Sequence, residues 1–173
     1  MMNEATTLIF KEQNMRVKDI IDEDFSNYKR PSMLIGTCFC NWKCCDDMKK
    51  DRSICQNSTF AKYPIVEMKD SKIVERYLDN PITHSIVFGG LEPIEQFDEM
   101  VDLIKEFRSR TDDDIVIYTG FYENEIQEQI ECLKGFKNII VKFGRFKMNG
   151  NKHLDEILGV ELANEEQYAR RIS

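Results

Sequence analysis

Five of the chain's six cysteines fall at positions 38, 40, 44, 45 and 55. Disulfides that staple a small secreted domain are usually spread along the chain, so that each bridge closes a loop. Five thiols in one short segment suit a single metal centre better. Soft thiolates select iron-sulfur clusters, zinc or copper over hard cations. The segment is therefore expected to form a metal-binding loop, and the rest of the chain to be the scaffold that presents it.

That scaffold reads as alternating strands and helices. Met15 to Ile21 suggests an edge strand, followed by a turn-rich stretch from Asp22 to Tyr28. Ser32-Met-Leu-Ile-Gly36 is a short apolar run that fits a buried strand, delivering the cysteine loop to the carboxyl edge of a sheet. After an irregular region, Lys69 to Leu78 places Ile73, Val74, Tyr77 and Leu78 on one helical face. Ser85 to Gly90 is a second buried strand. From Pro93 onwards Ile94, Phe97, Val101, Ile104 and Phe107 recur at helical spacing. Asp114 to Thr119 gives a third strand, Ile126, Ile130 and Leu133 a further helix, and Asn138 to Phe143 a fourth strand.

Such alternation favours parallel strands joined by right-handed crossovers. The 173 residues fall well short of the roughly 250 of a complete eight-unit barrel, so the expected fold is α/β, a partial, open (β/α) barrel with mainly parallel strands. One domain is expected over 1–173, with 1–26 as an N-terminal extension carrying the edge strand and 32–60 as the cluster-binding region. With 31 acidic against 24 basic residues and a net charge of −7, the chain has the wrong sign to bind nucleic acid directly. No stretch is long and apolar enough to span a bilayer, and the start, Met-Met-Asn-Glu-Ala-Thr-Thr, lacks the basic-then-apolar order of a secretion signal. The expectation is a cytoplasmic protein with no membrane partner.

Within the loop, Cys40-x-x-x-Cys44 and the more distant Cys55 can supply three thiolates. A cubane held by three thiolates keeps its fourth iron open to a small molecule. Cys38 and Cys45 remain alternatives, because Cys38-Phe-Cys40 and Cys44-Cys45 are too tightly spaced for every thiolate to reach one cubane. A closed zinc loop that only staples the fold is the competing reading. Trp42 lies between two of these cysteines, where it can shield a cluster or simply plug the loop. Gly89 and Gly90 end a strand and let a ligand approach the backbone, while Glu92 sets a carboxylate at the same mouth; the plain alternative is a strand-to-helix turn with Pro93 in the first helical position. Thr119, Lys142 and Arg145 stand at strand ends that should face the same pocket. Cys132 falls in a helical pattern and is left out of the metal site. His84 and His153 show no ligand-like spacing, and no nucleophile with an acid-base partner stands out, so the chemistry must come from a cofactor.

Read together, Asn27-Tyr-Lys-Arg-Pro-Ser-Met, the cysteine loop, Gly89-Gly-Leu-Glu-Pro93, Ile117-Tyr-Thr-Gly120 and Ala163-Asn-Glu-Glu-Gln167 resemble the radical S-adenosylmethionine superfamily. The likeness is greater to the small activating enzymes of glycyl-radical enzymes, including the activase of anaerobic ribonucleotide reductase. One departure is plain: the superfamily spacing Cys-x3-Cys-x2-Cys would put a third cysteine at position 47, which is Asp47. Cys55-Gln-Asn looks like the Cys-x-Asn ending of related loops, displaced by an insertion.

The resemblance implies a 4Fe-4S cluster on Cys40, Cys44 and Cys55. It also implies that Gly89, Gly90 and Glu92 hold the ammonium of S-adenosylmethionine, with Thr119 and Trp42 as further cofactor contacts. The implied activity is an oxidoreductase that cleaves S-adenosylmethionine reductively to a 5′-deoxyadenosyl radical. That radical would generate a glycyl radical on a partner enzyme, with a reduced flavodoxin or ferredoxin-type protein as electron donor. A small-molecule or peptide substrate, or a non-catalytic zinc or iron-sulfur module, are the other readings.

Overall fold

The computed structural model describes residues 12–173; residues 1–11 of the expected extension, including the start read above, lie outside the described residues. The elements run in the order β1 (Asn14–Val17), β2 (Asp19–Asp24), β3 (Ser32–Thr37), α1 (Lys43–Asp47), β4 (Val66–Lys69), α2 (Asp70–Leu78), β5 (Ser85–Gly90), α3 (Phe97–Arg108), β6 (Asp114–Tyr118), α4 (Gln127–Leu133), β7 (Ile139–Phe143), β8 (His153–Asp155), β9 (Val160–Leu162) and β10 (Tyr168–Arg171).

Six of these strands form the central sheet, in the order β10-β7-β6-β5-β3-β2. The four middle strands are parallel, as the alternation of strand and helix requires, while β2 and β10 run antiparallel at the two edges. The fold is thus mixed α/β around one largely parallel sheet. Among the described residues no helix is long and apolar enough to cross a membrane.

Strand side chains alternate between faces, and the two faces of this sheet are covered differently. Met33, Ile35, Ile86, Phe88, Ile115, Ile117, Ile139 and Val141 pack under the helices against Ile73, Tyr77, Leu103, Ile104, Phe107, Ile130 and Leu133. On the opposite face Leu34, Val87, Val116 and Ile140 stand side by side in register. The C-terminal segment covers that row with Leu158, Leu162 and Ala169. Two residues further along the same face the next row holds Gly36, Gly89, Tyr118 and Lys142. Two of those four have no side chain and two are polar, so the apolar packing stops there and a cavity opens at the carboxyl end of the sheet, where ligands of open α/β sheets bind.

Several expectations need correction. The strand read over Met15 to Ile21 is two strands: Met15 and Val17 point inward from β1, which pairs with β4 outside the main sheet, while Ile20 belongs to β2. β2 also extends through Asp22, Glu23 and Asp24, read as turn, because pairing with β3 overrides weak strand propensity. Leu78 is 40% exposed rather than on the buried face of α2; it ends the helix, and a face built on Ile73, Val74 and Tyr77 already covers the sheet. Cys132, left out of the metal site, is exposed on α4 and does not line the cavity.

Candidate functional site

The cysteine loop leaves β3 at Thr37 and folds back through two sharp local turns. Trp42 adopts a left-handed backbone conformation, φ 60°, uncommon for a bulky residue. This geometry aims its N–H at Cys40 Sγ at 3.2 Å and starts the short helix α1, which carries Cys44 and Cys45. After α1 the chain makes a 3-10 turn over Arg52–Ile54, started by Asp51 accepting from the Ser53 N–H. It then presents Cys55, whose Sγ accepts from the Asn57 N–H at 3.4 Å. The Asn57 side chain donates to the Gly90 carbonyl, tying the loop to the end of β5.

The structure separates the five loop cysteines by their surroundings. Cys40, Cys44, Cys45 and Cys55 line one cavity of about 250 Å³. Cys38 does not; it is buried, its main chain is held by Gln96, and the charges acting on it are those of Lys18, Glu99 and Arg16. Of the four cavity cysteines, Cys40 and Cys55 accept main-chain hydrogen bonds as described, and Cys44 shares the wall with Gly120 and Phe146. No main-chain donor is directed at the Cys45 sulfur among the described residues. Burial pushes the Cys40 thiol up to about 12 and raises Cys44 and Cys45 as well. As free thiols these groups hold their protons, so a bound metal is what would make them thiolates.

The cavity walls bring the other sequence-predicted residues to the same place. Trp42, Gly89, Gly90, Glu92 and Thr119 all line it, with Lys142 and Gly120 beside them. Gly90 is in the left-handed region, φ 86°, and a Cβ there would strike the Phe60 ring, which also covers Gly36. Phe60 thus seats on the two glycines and forms a second apolar groove of about 200 Å³, sharing Leu34, Asn57 and Gly90 with the first cavity. Together the two spaces reach the range of small-molecule sites, about 300–1,000 Å³. Trp42 is half-buried, and its ring carries the Arg52 guanidinium at 5.3 Å, so it both lines the cavity and packs the loop.

Glu92 is the best-held polar group of the wall. Its carboxylate accepts from Thr119 Oγ1 at 2.7 Å, the Gly120 N–H at 2.8 Å and the Ile94 N–H at 3.1 Å. Burial raises its pKa against the opposing pull of these donors. A carboxylate has about four acceptor positions, so roughly one remains for a ligand. Across the cavity, Lys142 is buried and donates to the Gly144 carbonyl at 2.9 Å. Burial pushes its ammonium down to about 8, while Cys44 and Glu92 pull the other way. Arg145, expected at the same pocket, turns aside to Glu125 and Asp47. The sequence reading passed over Phe146 and Gly120. Gly120 had a signal in the Ile117-Tyr-Thr-Gly120 match; Phe146, which lines the same cavity, had none.

A 4Fe-4S cluster fits this donor set. Four cysteines line one cavity, and at Gly120 a Cβ would come within 3.2 Å of Cys44 Sγ, so the glycine leaves the sulfur its room. Among the described residues no three His, Cys, Asp or Glu side chains close on a single-ion position. The ligands of a cubane stand on separate irons and are wider apart than those around one ion.

The family profile described as a 4Fe-4S single cluster domain matches residues 30–161. No curated protein and no solved structure matches the chain. The matched span begins just before β3, contains every cysteine of the cavity and runs past β7. By its sequence over that span and by the thiols gathered within it, the chain belongs to the 4Fe-4S single cluster domain family.

Proposed function

We propose that the chain is a radical S-adenosylmethionine enzyme of the glycyl-radical-activating type, its sheet the partial, open barrel of that superfamily. The observation that carries this reading is the company the thiols keep: Cys40, Cys44 and Cys55 share one cavity with Gly89, Gly90 and Glu92, and the Cys40 and Cys55 sulfurs each accept a main-chain N–H. When bound, the cluster supplies one electron and one iron free of protein thiolate.

The chain's own residues then bind and orient. The remaining acceptor position of Glu92 and the backbone of Gly89 and Gly90 hold the methionine ammonium, and Lys142 supplies the positive charge for its carboxylate. Trp42 and the loop through Phe60 close the cavity against water, which strengthens these contacts. One electron added to the sulfonium breaks its bond to the 5′ carbon, giving methionine and a 5′-deoxyadenosyl radical. That radical takes a hydrogen atom from a glycine Cα of a partner enzyme, leaving 5′-deoxyadenosine and the glycyl radical. A reduced flavodoxin or ferredoxin-type protein restores the electron.

The deciding experiment is anaerobic reconstitution with iron and sulfide, reduction, and electron paramagnetic resonance with and without S-adenosylmethionine. The expected result is a cubane signal that changes on adding S-adenosylmethionine, followed by release of 5′-deoxyadenosine. A cubane whose signal ignores S-adenosylmethionine and yields no 5′-deoxyadenosine would overturn the reading.

One observation favours a second reading. Cys45 is also in the cavity wall, and four cysteine ligands would make a closed electron-transfer centre. Cys45→Ser separates the two: it leaves an open site unchanged and destroys a closed one.

A further inference from the structure

Asp47 stands where the superfamily spacing would put a cysteine, and the structure gives it another task. Its carboxylate lies 2.8 Å from Arg145 Nε. That N–H is not aimed at the oxygen, so the contact is an ion pair rather than a hydrogen bond. The same guanidinium donates to Glu125 Oε1 at 2.6 Å and lies 4.6 Å from the centre of the Tyr122 ring. Arg145 is a buried cation, 4% exposed in its side chain, whereas Asp47 is half exposed.

Two further contacts join the same pieces. Lys43, at the start of α1, reaches Glu125 at 3.4 Å. The Met148 N–H points to the Met48 sulfur at 3.3 Å. The segment after β7 is thus stitched to α1 on either side of Phe146, which lines the cavity with Cys44. A charge buried this deeply is costly unless paired, so the arrangement is held by both carboxylates together.

We propose that Arg145 is a positioning residue of the cluster site. By fixing Asp47 on α1 and Glu125 ahead of α4, it holds the helix that carries Cys44 against the cavity wall at Phe146. This rests on the reading of Cys44 as a cluster ligand. Groups that orient ligands govern metal retention, and the charge around a cluster helps to set its reduction potential. Arg145 therefore acts on the cluster without touching it.

The test uses the full chain, reconstituted anaerobically, as wild type and as Arg145→Gln, Arg145→Lys, Asp47→Asn and Cys44→Ser. The measurements are the cluster midpoint potential, the rate of iron loss to a chelator, and the melting temperature before reconstitution. Arg145→Gln should lower the potential and speed iron loss about 10- to 100-fold. Asp47→Asn should speed iron loss by less, and Arg145→Lys should recover part of the loss. If Arg145→Gln does not fold, Asp47→Asn decides, because Asp47 is half exposed. Loss of the cubane in Cys44→Ser, with unchanged potential and iron retention in folded Arg145→Gln or Asp47→Asn, would overturn the clamp and leave the ligand assignment standing. An unchanged cubane in Cys44→Ser would overturn both.

Discussion

The two ends of the central sheet are built from the same strands and end in opposite ways. At the amino end the polar groups that go under are met by protein, with the Thr83 hydroxyl as an exception among the described residues. The Ser32 and Ser85 hydroxyls lie 2.7 Å apart and also reach the Arg30 and Pro31 carbonyls. Asp114 accepts from Tyr28 and Arg171, each at 2.8 Å. Arg108 satisfies the carbonyls of Thr111, Asp113 and Lys137. At the carboxyl end the same strands deliver four cysteines, Glu92 and Lys142 to a cavity, and their hydrogen-bonding capacity exceeds what the walls use. A buried polar group left short of partners is costly. Concentrating such groups at one end marks that end for a ligand and the other for stability.

The largest effect should come from the cavity thiols. Cys40→Ser, Cys44→Ser and Cys55→Ser should each abolish the cubane signal and the release of 5′-deoxyadenosine, whereas Cys38→Ser and Cys45→Ser should keep both. Visible absorption and paramagnetic resonance of anaerobically reconstituted protein report the outcome. Loss of the cluster in Cys38→Ser would show that burial away from the cavity does not exclude a ligand, and the contrast between the two ends would lose its sharpest support.

At the other end, Asp114→Ala should cost about 1–3 kcal/mol, since it leaves the buried Tyr28 hydroxyl unpaired while water takes up the half-exposed Arg171, and lower the melting temperature by roughly 2–12 °C. The cluster spectrum of the folded fraction should not change. The donors hold the Asp114 carboxyl below its ordinary value of 3.8 despite burial. A depressed carboxyl stabilises the fold above its unfolded pKa, and that contribution is lost as pH falls through the folded value. The gap between wild type and variant should therefore narrow in strong acid. An altered cluster potential in Asp114→Ala would mean that the two ends are not independent.

Glu92 sits where the two roles meet, because it clips β5 to β6 and also faces the cavity. In Glu92→Gln the amide turns donors towards Gly120 or Thr119 and loses the charge. The cluster should still form, and the change in its signal should need about 10- to 100-fold more S-adenosylmethionine. An unchanged concentration dependence would make Glu92 a clip alone.

How far these features were legible depended on whether a signal was local. The four parallel strands showed themselves because each is a run of apolar residues buried on both faces, as in Ser85 to Gly90. β8, β9 and β10 did not, because strands of three or four residues show no period. In β10 only Ala169 faces inward. In the site, Cys40, Cys44, Cys55, Gly89, Gly90, Glu92 and Thr119 could be read because their residue types carry the chemistry. The division among the cysteines could not, since it depends on which sulfurs the fold brings to the cavity and on the main-chain N–H groups of Trp42 and Asn57, and every residue but proline has one. Arg145 stands at the expected strand end but turns from the pocket to Asp47 and Glu125, which are distant in sequence and meet it only in the fold.

Asp70 gives the smallest predicted effect and a separate view of the carboxyl end. It opens α2, and a helix returning between parallel strands starts at their carboxyl end. Asp70 is 3% exposed, and neither carboxylate oxygen has a hydrogen-bond partner among the described residues. Burial, reinforced by Asp102, Glu106 and Glu99 of α3, pushes its pKa from 3.8 up to about 7. The folded chain thus holds this proton more tightly than the unfolded one, so stability falls as pH rises from about 4 to about 7, and the full penalty is present above that window. Asp70→Asn should remove it, raising stability at pH 8 by about 2 kcal/mol, or roughly 4–8 °C in melting temperature, with the advantage fading towards pH 4. Thermal denaturation of both proteins across that range is the measurement. Because Asp70 does not line the cavity, the gain should leave S-adenosylmethionine binding unchanged. Stabilisation bought at the expense of binding would instead extend the ligand-binding role of the carboxyl end out into the helical layer.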